Sequence, residues 1–232
     1  MAVKKHVLMM TGLMLAGGVM AAAPKGTVME LKVVQASVGP VLDGKLDDRA
    51  WLEAGLYGSK ASGFVDATGA KLAEYQPVVL AAYDQENLYV AVKSFVPDSD
   101  KLVANSKPGE FSWGDDLIQM FFEPALDGWY VHYGINSKGV TTLDAVKAAT
   151  AIAKTYWVLE IAVPWKVLQV TPQEGMLMGF NIAGCQVAAG GGWITWMPTY
   201  GGFHNPERFG YLALGSVLPV KKLPVKVEED DF

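Results

Sequence analysis

Cysteine is almost absent from this sequence. Cys185 is the only one, so no intramolecular disulfide can form and no network of bridges holds the fold. A hydrophobic core must stabilise the chain instead, and 51% hydrophobic residues over 232 positions can supply one. No nucleophile motif surrounds Cys185, so we predict a small buried side chain rather than a catalytic thiol.

Histidine and positive charge are also scarce. The three histidines, His6, His132 and His204, show none of the spacings of a zinc site. The formal net charge is −5, and an acidic chain binds nucleic acid poorly because the phosphate backbone is itself negative. We therefore predict neither a zinc centre nor a nucleic acid partner.

The N-terminus has the composition of a secretory signal peptide. Lys4 and Lys5 precede an apolar run, residues 7–23, which is shorter than the ~20 residues of a membrane span and ends in small residues. We predict a signal peptide over residues 1–23, cleaved after Ala21 or Ala23. The mature protein is then secreted or periplasmic and has no membrane anchor. The alternative is an uncleaved N-terminal anchor.

The sequence contains neither a repeat of fixed period nor strands that alternate with long helices. Short apolar runs separated by turn residues predict an all-β antiparallel sandwich of about ten strands. We expect a leader and first strand in residues 24–37 and the sandwich in residues 38–216. A charged tail, residues 217–232, has too little apolar mass to stay ordered.

Two neighbouring segments, residues 111–124 and 129–139, alternate in character and predict two strands, each with two distinct faces. In the first, Ile118, Met120 and Phe122 share an apolar face that belongs to the core. The opposite face combines a tryptophan with amide, imidazole and phenol groups, which suits a sugar. The candidate ligand-binding residues on this face are Trp113, Gln119, His132 and Asn136.

A second aromatic platform is expected from the pair Trp193 and Trp196. Because the two lie three positions apart on one strand, they point to opposite sides, and only one can belong to the core. A proline and a glycine pair follow Trp196 closely, so we predict that Trp196 faces the ligand cleft. We predict core positions for the three tryptophans Trp51, Trp157 and Trp165.

The acidic residues give no catalytic pair. Asp115 and Asp116 are adjacent on a strand and point apart, so they cannot flank one glycosidic bond. Glu160 is the one acid on a predicted strand that can reach the cleft from the side, and it has no acidic partner.

Several aspartates could instead bind calcium, because they place hard oxygen donors close together in one turn. No EF-hand spacing exists, and a solvated acidic turn is the alternative. The candidate calcium ligands are Asp43, Asp47, Asp48 and Asp116.

Five short motifs follow one another along the chain. They are DGKLDDRAW at 43–51, YDQENLYV at 83–90, WGDD at 113–116, LEIAVPW at 159–165 and FGYL at 209–212. In this order, over about residues 38–215, they resemble the pattern of the family 9 carbohydrate-binding modules. The resemblance implies a DOMON-like, immunoglobulin-like two-sheet sandwich that binds sugars between two tryptophans, in some members at chain ends. It also implies bound calcium and frequent attachment to glycoside hydrolases.

The resemblance also assigns individual residues. Trp113 matches the first tryptophan of the family and Trp196 the second. Gln119 stands where a glutamate often follows the Asp-Asp pair, which would replace a charge-assisted bond to a sugar by a neutral one. An arginine expected on the next strand is not evident, and His132 is the nearest polar side chain.

We therefore expect an exported, non-catalytic module that binds a mono- or oligosaccharide and supports carbohydrate catabolism by partner glycoside hydrolases. One alternative is a haem b-binding periplasmic protein in electron transfer, because related sandwiches bind haem noncovalently. The candidate haem ligands are Met120, Met178, Met197 and His132. A third possibility is a sandwich that has lost its ligand and serves as an assembly surface.

Overall fold

The computed structural model describes residues 28–56, 59–110, 113–142 and 145–217. The predicted signal peptide and nearly all of the predicted charged tail lie outside these residues. The strands are β1 Glu30–Gln35, β2 Lys60–Ala61, β3 Val65–Asp66, β4 Val78–Tyr83, β5 Asn87–Phe95, β6 Leu117–Glu123, β7 Val131–Asn136, β8 Lys147–Ile152, β9 Tyr156–Pro164, β10 Leu177–Cys185, β11 Trp193–Thr195 and β12 Gly210–Val217. The helices are α1 Arg49–Leu56 and α2 Trp165–Leu168, with 3-10 turns at Ser99–Lys101, Val187–Ala189 and Pro206–Arg208.

The strands form two layers. Strands β8, β9, β5 and β4 pair in that order in the first layer, and β7, β6, β10 and β12 do so in the second, where β11 also pairs with β10. Strand β1 joins the layers, because it pairs in parallel with β12 and then with β4. The other strand pairs are antiparallel, and the predicted all-β sandwich is confirmed. Since β1 has a partner on each edge, the sandwich begins before the predicted boundary at residue 38.

The core between the layers follows from the period of two in the strands. On β6, Ile118, Met120 and Phe122 enter the core, as predicted, and the alternate residues face outward. Trp157 and Trp165 pack in the same core, while Trp51 is buried on the outer face of the first layer. Each large apolar side chain buried in this way contributes roughly 1.5 to 3 kcal/mol of transfer free energy.

The outer faces of the two layers are covered in different ways. Helix α1 covers the first layer, where Trp51 and Ala54 pack on Leu80 and Ala82. On the second layer a small aromatic cluster that contains Phe121, Phe203 and Phe209 takes this place, and two of its members come from loops. No helix in the described ranges is long and apolar enough to cross a membrane.

Candidate functional site

Two tryptophans meet on the outer face of the second layer, at the start of β6. Trp193 pairs with Cys185 of β10, which places it on this face, and Cys185 Sγ contacts the carbonyl of Trp113 at 3.8 Å. The Trp113 side chain is 60% exposed. The two ring centroids are 5.3 Å apart with the planes at 64°. A sugar between two parallel rings requires a separation of about 7 to 8 Å, so these rings form one corner-shaped aromatic surface, which we call the tryptophan corner.

Trp196 does not belong to the tryptophan corner, and the prediction that it faces the cleft is wrong. It is 2% exposed and lies in the core, with its ring centroid 5.8 Å from that of Phe180. The physical reason is visible in the alternation. Trp196 shares its face with apolar Ile194, whereas Trp193 shares its face with Thr195, so the polar neighbour was the available signal for the outward tryptophan.

Gln119 and His132 lie on the outer face of β6 and β7, as predicted. His132 Nε2 lies 2.9 Å from Gln119 Oε1, and since an amide oxygen only accepts, the histidine nitrogen donates. Gln119 is 0% exposed, and its Nε2 has no hydrogen-bond partner among the described residues. An unsatisfied buried donor costs about 1 to 3 kcal/mol, and a ligand hydroxyl that accepts from it would recover that cost.

An aromatic and histidine cluster surrounds this pair. His132 stacks on Phe121 with centroids 4.5 Å apart, and His204 approaches it edge-on at 4.9 Å. The Tyr130 hydroxyl lies 2.9 Å from His204 Nδ1. Burial and the nearby His204 lower the pKa of His132 to about 4, and burial also lowers the pKa of His204. Both rings are therefore neutral at neutral pH and act as hydrogen-bonding groups rather than charges.

Sequence reasoning did not select His204 as a site residue. His204 belongs to a loop more than 70 positions after His132, and no local pattern brings the two rings together. Tyr130, which immediately precedes β7, supplies the phenol group predicted on this face, because the alternation of that strand places it on the same side as His132.

Asn136 lies on the predicted face but its polar atoms are used within the protein. Its Nδ2 donates to Asp115 Oδ2 at 2.9 Å, and its Oδ1 accepts from the backbone N–H groups of Lys138 and Val140. It is also buried. Asn136 therefore holds the turn after β7, and the structure does not present it to a ligand.

The adjacent acids Asp115 and Asp116 cap loops. Asp116 accepts from the N–H groups of Val103 at 2.8 Å and Ala188 at 3.0 Å. Burial acts to raise the pKa of both carboxyls. For Asp116 the pKa is raised, whereas for Asp115 hydrogen bonds from Asn105, Ser106 and Asn136 outweigh burial and the pKa is lowered.

The predicted calcium ligands are not brought together. Asp43 is exposed and pairs with Lys45 Nζ at 2.9 Å, while Asp48 Oδ2 accepts from the N–H of Val41 at 3.0 Å. Asp116 is committed to backbone donors as described above. In the described part of the chain no three acidic, histidine or cysteine side chains are grouped to hold a metal ion. This donor set does not fit calcium.

Glu160 cannot reach the cleft, because it lies on the outer face of the opposite layer. Its carboxylate accepts from Trp51 Nε1 at 2.6 Å and from the N–H groups of Gly44 at 2.6 Å and Asp43 at 3.1 Å. Burial raises its pKa. The sequence motifs at 43–51 and 159–165 are thus one structural unit that anchors α1 to the first layer.

The geometry does not supply a histidine and methionine pair for haem. Met120 and Met178 lie in the filled core, whereas His132 lies on the outer face of the same layer. An axial pair must approach one iron from opposite sides of a single porphyrin. Ligands on the two faces of one sheet cannot do this, so neither Met120 nor Met178 can pair with His132 on one haem.

The comparisons with known proteins concern the chain as a whole. A family 9 carbohydrate-binding module from Caldicellulosiruptor kristjanssonii, solved with cellotriose, is 20% identical and superposes with a TM-score of 0.62, covering 83% of this chain and 100% of the other. Its complex with glucose gives the same identity and TM-score over 84% and 100%. A protein from Bacteroides uniformis is 17% identical, with a TM-score of 0.62 over 81% and 100%.

Curated protein sequences give no significant match. The family described as carbohydrate family 9 binding domain-like matches residues 42–216, which is most of the chain and includes all five motifs. The chain therefore belongs to this family of non-catalytic carbohydrate-binding modules, as its motifs predicted, and it is not an enzyme.

Proposed function

We propose that this chain is an exported carbohydrate-binding module that holds a mono- or oligosaccharide at the tryptophan corner. One observation carries the proposal: the exposed ring of Trp113 lies on the same sheet face as the buried, unpaired Nε2 of Gln119. Solved relatives support it, since one of them holds cellotriose and glucose.

The two groups have complementary tasks. The exposed face of Trp113 takes the C–H groups of a pyranose ring, while Gln119 Nε2 donates to a hydroxyl at the ring edge. Gln119 is sealed from solvent, so a sugar reaches it only when the surface above it opens. His132 keeps the amide in place through its bond to Gln119 Oε1.

Export and enzymatic partners complete the proposal. The pattern of residues 1–23 supports export, and the family resemblance supports a role beside glycoside hydrolases that break down the bound polysaccharide. Within the described residues no pair of facing carboxylates lies at the tryptophan corner, because Asp115 and Asp116 cap loops and Glu160 lies on the other layer. Binding is thus the activity that the site supports.

Calorimetric titration with glucose and cellotriose tests this proposal. We expect Trp113→Ala to weaken binding about 10- to 100-fold, since an aromatic contact of this kind contributes about 1 to 3 kcal/mol, with little change in unfolding midpoint. Trp129→Ala is the matched control, because Trp129 is also exposed but lies on the β6–β7 hairpin, away from the corner. Equal losses in both variants, or no binding of any sugar by the unaltered protein, would refute the proposal.

A further inference from the structure

Gln119 lies between two very small neighbours on the outer face of the second layer. It pairs with Ala183 of β10 on one side and with Gly134 of β7 on the other. The directly opposite residues therefore contribute no more than a methyl group to the space around its amide. Gln119 is nevertheless 0% exposed, and its Nε2 has no partner among the described residues. A group that offers Nε2 no hydrogen bond therefore covers the amide.

An apolar ring from a loop is placed to be that cover. Phe203, in the loop between β11 and β12, is 8% exposed and belongs to the buried cluster that contains Ala183 and Phe121. Those two residues are the cross-strand neighbour of Gln119 and its same-face neighbour on β6. The ring centroid of Phe203 also lies 5.7 Å from that of Trp193. Phe203 therefore fills the space beside the tryptophan corner through which a sugar hydroxyl would reach Nε2.

The segment that carries Phe203, residues 201–204, is held to the sheet by side chains alone, and we call it the lid. Among the described residues its backbone takes part in one hydrogen bond to another backbone group. In that bond the N–H of Asn205 donates to the Phe203 carbonyl at 2.9 Å, so both partners belong to the same loop. His204 Nδ1 adds its 2.9 Å contact with the Tyr130 hydroxyl. A segment without backbone bonds to a strand or helix opens at far lower cost than the whole fold.

The lid has an anchored end and a hinge. Tyr200, just before it, has a left-handed φ of 54°, and the guanidinium of Arg208 lies over its ring, 4.9 Å from the ring centroid. Gly201 and Gly202 follow, and a Cβ added at either would meet no atom within 4 Å apart from its chain neighbours. Glycine reaches more backbone conformations than any other residue. Rotation at this pair therefore moves Phe203 away from the sheet while Tyr200 keeps its contacts.

We propose that the lid is a built-in competitor of the sugar: in the closed form the Phe203 ring occupies part of the sugar site, and a bound sugar displaces it. This proposal rests on the carbohydrate-binding function proposed above and names the group that regulates it. Displacement of the lid makes two groups accessible together, the buried part of the Trp193 ring and Gln119 Nε2. Because only the open form accepts the sugar, the measured dissociation constant is the intrinsic one divided by the open fraction.

Calorimetric titration with cellotriose tests the lid. Phe203→Ala removes the competing ring, and we expect this variant to bind cellotriose about tenfold more tightly, which is the gain when the open form makes up about a tenth of the molecules. Phe209→Ala is the matched control. It removes a buried ring of the same cluster that packs on Phe121 and Tyr130 instead, so it should not strengthen binding.

Two further measurements examine the hinge and the cover separately. The double variant Gly201→Ala, Gly202→Ala should slow cellotriose association several-fold in stopped-flow fluorescence, because the closed form has room for both methyl groups while the hinge becomes stiffer. This variant also makes the test at exposed positions should Phe203→Ala fail to fold. Without any sugar, the side-chain amide protons of Gln119 should exchange with water faster in Phe203→Ala than in Phe209→Ala, as NMR can measure.

The outcomes separate the lid from the function on which it rests. If the unaltered protein binds cellotriose and Phe203→Ala binds it equally or more weakly, the lid is refuted and the carbohydrate-binding function stands. Equal exchange rates of the Gln119 amide in Phe203→Ala and Phe209→Ala refute the lid as well, whether or not a sugar binds. Unchanged association in the double glycine variant refutes the hinge. If neither the unaltered protein nor Phe203→Ala binds any sugar, the carbohydrate-binding function is refuted, and the competition proposed for the lid is refuted with it.

Discussion

Each layer of the sandwich buries a polar side chain on its outer face, and the two side chains are satisfied to different degrees. Glu160 on the first layer accepts three hydrogen bonds, from an indole and two backbone N–H groups. Gln119 on the second layer makes one bond to His132 and leaves its Nε2 unpaired. A fully used polar group holds the protein together, whereas the unused donor of Gln119 can take part in the ligand contact proposed above.

The outer faces of the two layers are also covered to different degrees. A helix seals the first face and buries Trp51 completely. Loop side chains such as Phe203 and Phe209 cover part of the second face and leave Trp113 exposed. Because loops open at lower cost than a packed helix, the second face is the one on which a ligand can enter.

The largest expected effect is on stability, and it distinguishes Trp196 from Trp193. Trp196→Ala should lower the free energy of unfolding by about 3 to 5 kcal/mol, as removal of a large core side chain does. Trp193→Ala, at a half-buried surface position, should cost far less and weaken sugar binding instead. Urea unfolding followed by fluorescence measures both. The reverse order of stabilities would place Trp193 in the core.

Glu160 gives the next effect. Glu160→Ala leaves the Trp51 indole and two N–H groups without their acceptor, which should cost on the order of 3 kcal/mol, and it should not change sugar affinity in the protein that remains folded. Denaturant unfolding and sugar titration on the same samples provide the measurement. Normal stability combined with lost sugar binding would move the site to the helix-covered face.

Much of the fold could be predicted from the sequence, because strand periodicity is a local signal. The alternation around Ile118, Met120 and Phe122 identified the core face of β6 correctly. The same alternation placed Gln119 and His132 on the opposite face. What remained hidden was which loops cover that face, since Phe203 and His204 are distant in sequence and reach it only through the tertiary fold.

The errors at polar residues have a common physical cause. Polar residues were assigned to a ligand by their type and face, whereas their actual roles depend on partners supplied by other segments. Asn136 donates to Asp115, and Trp51 donates to Glu160. Backbone N–H groups of the loop at 103–106 and of the turn at 187–189 donate to Asp115 and Asp116. The pattern of one strand does not show such pairings. In the sequence, a polar group that is bonded within the protein therefore resembles a group that binds a ligand.

Through His132, on the outer face of the second layer, the stability of the protein should depend on pH. Its pKa is about 4 in the folded protein, mainly because of burial, against 6.5 as a free group, so below pH 6.5 the unfolded chain binds the proton more readily. Stability should therefore fall as the pH falls from about 6.5 towards 4, by about 2 kcal/mol between pH 7 and pH 5. His132→Gln should flatten that slope in urea titrations over this range. An unaltered slope in the variant would mean that the ring is solvated.

The smallest effect on stability, and the most direct test of the comparison, is expected at Gln119. Gln119→Leu removes an unpaired buried donor, which is favourable, and also removes the acceptor of His132 Nε2, which is unfavourable. The two contributions oppose each other, so the free energy of unfolding should change by less than about 1 kcal/mol. Sugar affinity should nevertheless fall about tenfold, because the donor to the ligand hydroxyl is gone. Calorimetric titration with cellotriose, run beside urea unfolding, separates the two quantities. Unchanged affinity would show that Nε2 faces no ligand and would confine the site to the exposed surface of the two tryptophans.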